Sequence, residues 1–241
     1  MRKIVALVAS AAFVSCLPAV ATAQQKPDVA GSEGAKPWLD PSLSSEARAR
    51  AAVAAMTLDE KLRLVFGYSD QAVTDVSKVS DDIVSAELKT YVQTRAVKGS
   101  AGFVPGVPRL GIPDQTQTDA SMGVRNSQIP STALPSSLTT AASFDPEVVR
   151  AGGVMIGSET RSTGHNTMLS GGINLAREPR NGRNFEYVGE DPLLAGAMVG
   201  ALIDGIQSNK IISTIKHYAV NDAETQRTTL DVTISAEAMR Q

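Results

Sequence analysis

The sequence predicts an α/β fold with a parallel sheet, and two observations carry that prediction. Short apolar runs alternate with well-capped helical stretches through short connections, the chain order of βαβ units. The residues suited to chemistry also gather just after the expected strands. Asp119 and Arg125 follow one, Arg177 to Glu186 follow the next, and Lys216 and His217 follow a third. Polar groups at the carboxyl ends of parallel strands are the layout of a (β/α)8 barrel's active face, and a doubly wound sheet has the same local pattern. The chain has no internal repeat and no low-complexity tract.

Residues 1–23 stand apart from the fold. Arg2 and Lys3 form a positive start, an apolar run follows from Ile4, and the small-residue stretch ends Ala21-Thr22-Ala23. This is the plan of a secretory signal peptide cleaved before Gln24, and its apolar run is too short for a permanent anchor. Cys16, the one cysteine, lies inside it. A cleaved chain therefore makes no disulfide and does no thiol chemistry. Export is expected, to the periplasm in a Gram-negative source. No other segment reads as a membrane span. Residues 24–43 read as a leader, most polar up to Lys36, with Trp38-Leu39-Asp40-Pro41 beginning the ordered part; 44–241 read as one domain.

Within that domain, 44–55 is rich in Ala, Arg and Glu and predicts a helix. Thr57-Leu58-Asp59-Glu60 is a capping box, and Leu58, Leu62, Val65 and Phe66 then share a helical face. Residues 68–100 are polar and weakly periodic, a loop with short helices. Val107-Pro108-Arg109-Leu110-Gly111-Ile112-Pro113 is rich in chain breakers, and the stretch from Asp119 to Arg125 reads locally as a turn. Asp145 caps a helix with Pro146 at its first position, running to about Arg161, and Phe144 is placed to staple onto Val149. Residues 173–177 read as a strand. Asp191-Pro192 opens a helix to about Gln207, and the β-branched run 211–216 reads as a buried parallel strand.

Composition narrows the function. Of 241 residues, 42% are hydrophobic and 20% charged, so the chain can bury a core. Its 23 basic and 25 acidic residues leave no electrostatic footprint for nucleic acid, and 4% aromatic content argues against a stacking platform. Phosphate-loop, dinucleotide and H-E-x-x-H motifs are absent, and His165 and His217 are too isolated for a histidine zinc site. No metal or cofactor is expected.

The densest polar stretch is 177–192, with three arginines, two asparagines and four acids, interrupted by Phe185 and Tyr187. Arg–carboxylate pairs would order such a loop. The same planar groups suit vicinal hydroxyls, since each offers two directed hydrogen-bonding positions. Composition alone leaves scaffold and site open. Lys216-His217 ends an apolar run, a place where a strand also simply meets water.

Taken in order, these segments resemble the N-terminal barrel domain of glycoside hydrolase family 3, the β-glucosidase and β-xylosidase family. The carriers are Met56-Thr57-Leu58-Asp59-Glu60-Lys61, Val107 to Pro113, and Asp119 to Arg125, similar to D-G-P-x-G-x-R. Leu134-Pro135-Ser136, Ser143-Phe144-Asp145, Arg180 to Glu186, Glu190-Asp191-Pro192 and Lys216-His217 complete the set. The likeness runs from about residue 45 to the end and implies a partial (β/α)8 TIM-type barrel, its N-terminal half or slightly more.

The resemblance implies that Asp119, Arg183, Lys216 and His217 line the −1 sugar subsite. Asp119 would accept from the 4- and 6-hydroxyls, and the other three would donate to ring hydroxyls. Arg125 and Arg227 match further arginines around that subsite. Glu186 would hold Arg183 in place. Two departures stand out. Ala120-Ser121 replaces the usual Gly-Pro, and Tyr218-Ala219-Val220-Asn221 replaces the F-P-G-H-G run of the N-acetylglucosamine branch, which disfavours that branch.

The family is retaining, which requires two carboxyl groups about 5–5.5 Å apart, a nucleophile and an acid/base. The resemblance puts these on a later barrel strand and a following domain. The expectation is thus the N-terminal portion of an exported β-glucosidase-like enzyme that hydrolyses terminal β-linked glucose or xylose, inactive alone, whose partner is a β-linked glucoside or oligosaccharide, with the remaining barrel and a C-terminal domain in the full-length protein. The alternative is a non-catalytic exported sugar-binding module.

Overall fold

The capping chemistry of the sequence sets where the helices begin. In the computed structural model, which describes residues 36–69, 75, 85–125 and 130–240, helix α1 spans Ser45–Ala55 with Ser44 accepting from the Ala47 amide. Helix α2 spans Leu58–Val65, and both capping-box hydrogen bonds between Thr57 and Glu60 are present. The proposed signal peptide, Cys16 and residues 24–35 of the leader lie outside the described residues.

The 68–100 region is more regular than its polarity suggests where it is described. It holds strand β1, Tyr68–Ser69, and helix α3, Ala86–Arg95, capped by Ser85. Strands β2, Gly102–Val104, β3, Gln115–Ala120, and β4, Val124–Arg125, follow. Helices α4, Ser137–Ala141, and α5, Pro146–Ser162, lead to β5, Thr167–Leu169. Helix α6, Pro192–Gln207, leads to β6, Ile212–Ser213, and α7 is Ala236–Arg240. Among the described residues, no helix is long and apolar enough to cross a membrane.

The six strands form one sheet in the order β1-β2-β3-β5-β6, with β4 also on β3. β3, β5 and β6 are parallel neighbours, in register Thr118 to Met168 to Ser213, and a bridge from Gly172 to Lys216 extends the last pair. The antiparallel β1, β2 and β4 lie to the other side of that parallel core. Pro37–Gln241 make up one compact unit.

Ala120, Val124, Ile156, Met168, Ile206 and Ile211 bury the seam between the sheet and helices α5 and α6. Glycines let those two helices touch backbone to backbone. A Cβ at Gly153 would fall on the Leu202 carbonyl, and one at Gly205 on the Arg150 carbonyl.

Four local expectations are corrected. Residues 173–177 are not a strand; β5 lies earlier, at Thr167–Leu169, while Ile173 and Leu175 pack against a cluster that includes Val199 of α6. Their apolarity reflects that packing; within the run only the Ile173 amide bonds the neighbouring strand's extension, donating to Lys216. The turn between Asp119 and Arg125 is confined to 121–123, and Asp119 and Arg125 are themselves cross-strand partners. Phe144 is 72% exposed while Val149 is buried, so no staple forms; Phe144 has φ 53°, a left-handed backbone set between α4 and α5. The run 211–216 is not a buried strand throughout: β6 is limited to Ile212–Ser213, Ile212 and Ile215 are half-exposed, and Ile211 is the isoleucine that reaches the core.

Candidate functional site

Strand β3 reads Gln-Thr-Gln-Thr-Asp-Ala, and its burial alternates strictly, Thr116, Thr118 and Ala120 inward to the core. Period-two geometry therefore turns Asp119 away from that core, at the carboxyl end of the strand. Lys216 lies just beyond β6, tied to β5's continuation by the amide of Lys216 donating to Gly171 and that of Ile173 to Lys216. The two side chains meet: Lys216 Nζ donates to Asp119 Oδ1 at 2.6 Å.

Arg183 and Glu186 come from the loop after β5. Short-range hydrogen bonds fold it into a 3-10 turn, Asn184–Glu186. Pairs order the loop as its composition suggests, Arg180 with Glu178 at 2.8 Å and Arg177 with Asp222 at 2.9 Å. Glu186 is only 3% exposed. One of its oxygens accepts from Arg183 Nε, and the other accepts from Ser121 Oγ at 3.0 Å with Lys216 Nζ 3.4 Å away. Glu186 therefore lies against two cations, Arg183 and Lys216.

His217 is fixed by its backbone and its ring. Its amide donates to Asn174 Oδ1 at 2.6 Å, and the fully buried Tyr187 places its hydroxyl 3.3 Å from Nδ1. Asn221 and Glu224 support these groups from behind. Asn221 Nδ2 donates to Tyr187 and to Glu224, and Glu224 pairs with Arg227 at 2.9 Å and with Arg183 at 3.7 Å.

Asp119, Ser121, Arg183, Glu186, Lys216 and His217 border one open cleft of about 780 Å³. Its lining includes every residue singled out from sequence: Asp119, Arg125, Arg183, Glu186, Lys216, His217 and Arg227. Arg125 and Arg227 are exposed, the other cations largely covered. Asp222, the nearby acid on Arg177, is not part of that lining.

Burial pushes the Glu186 carboxyl up, but the Arg183 hydrogen bond and the Lys216 charge outweigh it, and the group lies below its ordinary range. Burial lowers the Arg183 guanidinium, and its bond to Glu186 more than reverses this. His217 is held below its usual value by burial first and by the Arg183 charge second, so it is neutral at pH 7. With Nδ1 facing Tyr187, its Nε2 is left for a ligand. The cleft therefore offers paired carboxylate oxygens, a guanidinium, an ammonium and a neutral imidazole on rigid supports.

Sequence reasoning did not find Ser121, Asn174, Asn221 or Glu224. The spacing of Glu224 and Arg227 is the only local sign of the last. Asn174 and Ser121 act across 43 and 65 residues, a separation no local pattern reports.

The chain is similar to known proteins over most of its length. Residues 50–240 match the family model described as the glycosyl hydrolase family 3 N terminal domain. Beta-glucosidase BoGH3A of Bacteroides ovatus is 36% identical over 186 residues, covering 71% of this chain and 24% of that protein. Thermostable beta-glucosidase B of Acetivibrio thermocellus is 31% identical, covering 66% and 23%. Among solved structures, the β-glucosidase DesR of Streptomyces venezuelae, in complex with D-glucose, superposes with a TM-score of 0.66 at 31% identity, covering 80% of this chain and 22% of that one. β-Glucosidase 3B of Thermotoga neapolitana, with glucose, gives 0.59 at 30%, covering 73% and 23%. The chain spans about a quarter of the length of these relatives.

Proposed function

The chain belongs to glycosyl hydrolase family 3, its fold is part of a (β/α)8 barrel, and we propose from that premise that its cleft is the −1 subsite of a retaining β-glycosidase acting on terminal β-linked glucose or xylose. The observation that carries the proposal is convergence. Asp119, Arg183, Lys216 and His217, spread over nearly a hundred residues, border one cleft.

The chemistry fits a pyranose. Asp119 keeps an oxygen beyond the one bonded to Lys216, and a carboxylate accepts from two neighbouring hydroxyls. Arg183 and Lys216 donate, and neutral His217 donates or accepts without adding charge. Asp119 and Glu186, the carboxylates of the lining, are both engaged by cations, which suits them to gripping hydroxyls rather than attacking carbon. We assign neither nucleophile nor acid/base to this set, and expect negligible hydrolysis of an aryl β-glucoside by this chain alone. Export is part of the proposal. A secreted form beginning at Gln24 supports it, and a cytoplasmic form retaining Met1 opposes it.

Titration calorimetry tests the site. The folded chain should bind glucose saturably, and Lys216→Ala should weaken binding about tenfold or more, the worth of one charge-assisted hydrogen bond of roughly 1.5–3 kcal/mol. A folded chain that ignores glucose, or a Lys216→Ala variant that binds as well, contradicts the reading.

A further inference from the structure

We propose that Ser121 is a positioning residue of the cleft, its hydroxyl holding the Glu186 carboxylate so that Lys216 is left to Asp119. The inference rests on reading the cleft as a pyranose site and adds a residue that the family pattern does not supply, since proline usually stands there.

The geometry is a competition for one ammonium. Lys216 Nζ lies between two carboxylates, 2.6 Å from Asp119 Oδ1 and 3.4 Å from Glu186 Oε2. Glu186 is the more deeply buried, and a buried carboxylate oxygen lacking a donor attracts the nearest cation strongly. Its Oε1 is occupied by Arg183. Its Oε2 is occupied by Ser121 Oγ, a neutral donor at 3.0 Å. That hydrogen bond satisfies Oε2 without a full charge, so Lys216 stays at hydrogen-bonding distance from Asp119 and only within Coulomb range of Glu186.

The clamp is set by the backbone that sets Asp119. Ser121 is the first residue after β3, two beyond Asp119, in the tight turn to β4. Gly123 holds that turn at φ 120°, where a Cβ would strike the Thr132 carbonyl, and the Leu134 amide donates to Met122 across it. Without the hydroxyl, Oε2 gains by drawing Lys216 in. Asp119 then loses the partner that fixes its orientation toward ligand.

The test compares the wild-type chain with Ser121→Ala and Ser121→Thr, using glucose calorimetry and the NMR signal of the Lys216 ammonium. Support is a threefold to tenfold loss of glucose affinity and a displaced ammonium signal in Ser121→Ala, both restored in Ser121→Thr, with thermal midpoints close to wild type. Affinity within twofold and an unmoved ammonium in Ser121→Ala overturn it. So does a Ser121→Thr protein that behaves like Ser121→Ala. Should the folded wild type not bind glucose, the functional reading fails, and the ammonium signal alone decides the clamp: displaced in Ser121→Ala and restored in Ser121→Thr sustains it, unmoved rejects it. Should Ser121→Ala not fold, Ser121→Cys, a poorer donor of similar size, takes its place with the same two outcomes.

Discussion

Glu186→Gln removes one charge from the centre of the cleft while keeping the side chain's shape. Two cations then lose their shared counterion, Arg183 and Lys216, whose side chains are only 15% and 13% exposed. Asp119 still pairs with Lys216, so the main loss falls on Arg183, left with Glu224 at 3.7 Å. Breaking a buried pair by neutralising one partner costs about 3–5 kcal/mol. In a domain of this size each kcal/mol moves the thermal midpoint by roughly 2–4 °C, so the expected fall is about 6–20 °C. Glu178→Gln is the control. It breaks an Arg–carboxylate pair in the same loop, but Arg180 is 88% exposed there and solvent already screens the pair. Thermal unfolding followed by circular dichroism should show a large fall for Glu186→Gln and no measurable one for Glu178→Gln. Equal shifts would refute the claim that burial, and not merely pairing, makes Glu186 the keystone.

Three further outcomes are expected. Gly205→Ala places a methyl on the Arg150 carbonyl and must part α5 from α6; chemical denaturation should show a loss of about 1–3 kcal/mol, and an unchanged midpoint would mean the helices are not in backbone contact. The folded chain's His217 should titrate below 6.5 by NMR, because burial and Arg183 disfavour its proton. An unfolded histidine protonates first, so this residue supports the fold above pH 6.5 and withdraws that support as pH falls toward its folded pKa; titration above 6.5 would contradict the burial argument. Glu186 is depressed instead, so its contribution is complete above its unfolded value near 4.5 and disappears as acid titrates it in the fold, and a protein equally stable at pH 3 and pH 6 would count against the network.

Much of this was legible in sequence where the controlling contact is local. Thr57 and Glu60 are three residues apart, and Asp191 caps Leu193 and Leu194 from its own turn. Such signals depend on backbone geometry that a few residues dictate. The segments around the cleft were found as a set, because their order matched a family pattern. What the sequence could not reveal is long-range pairing. Glu60 closes its capping box and also binds Arg109, 49 residues away, which joins the start of α2 to the breaker-rich stretch before β3. Asp114 accepts from Tyr91, Arg95 and Gly106, though nothing in its neighbourhood marks it as a hub. The strand at Thr167–Leu169 escaped notice because three residues carry too little periodicity, while the more apolar 173–177 owed its character to packing against helices.

A crystal structure of the chain soaked with β-D-glucose would test the central claim most directly. The account predicts one ordered pyranose in the cleft, with Asp119 accepting from two of its hydroxyls and Arg183, Lys216 and His217 each within hydrogen-bonding distance. An ordered sugar seated elsewhere, with these four side chains unchanged and in contact only with one another and with water, would contradict it.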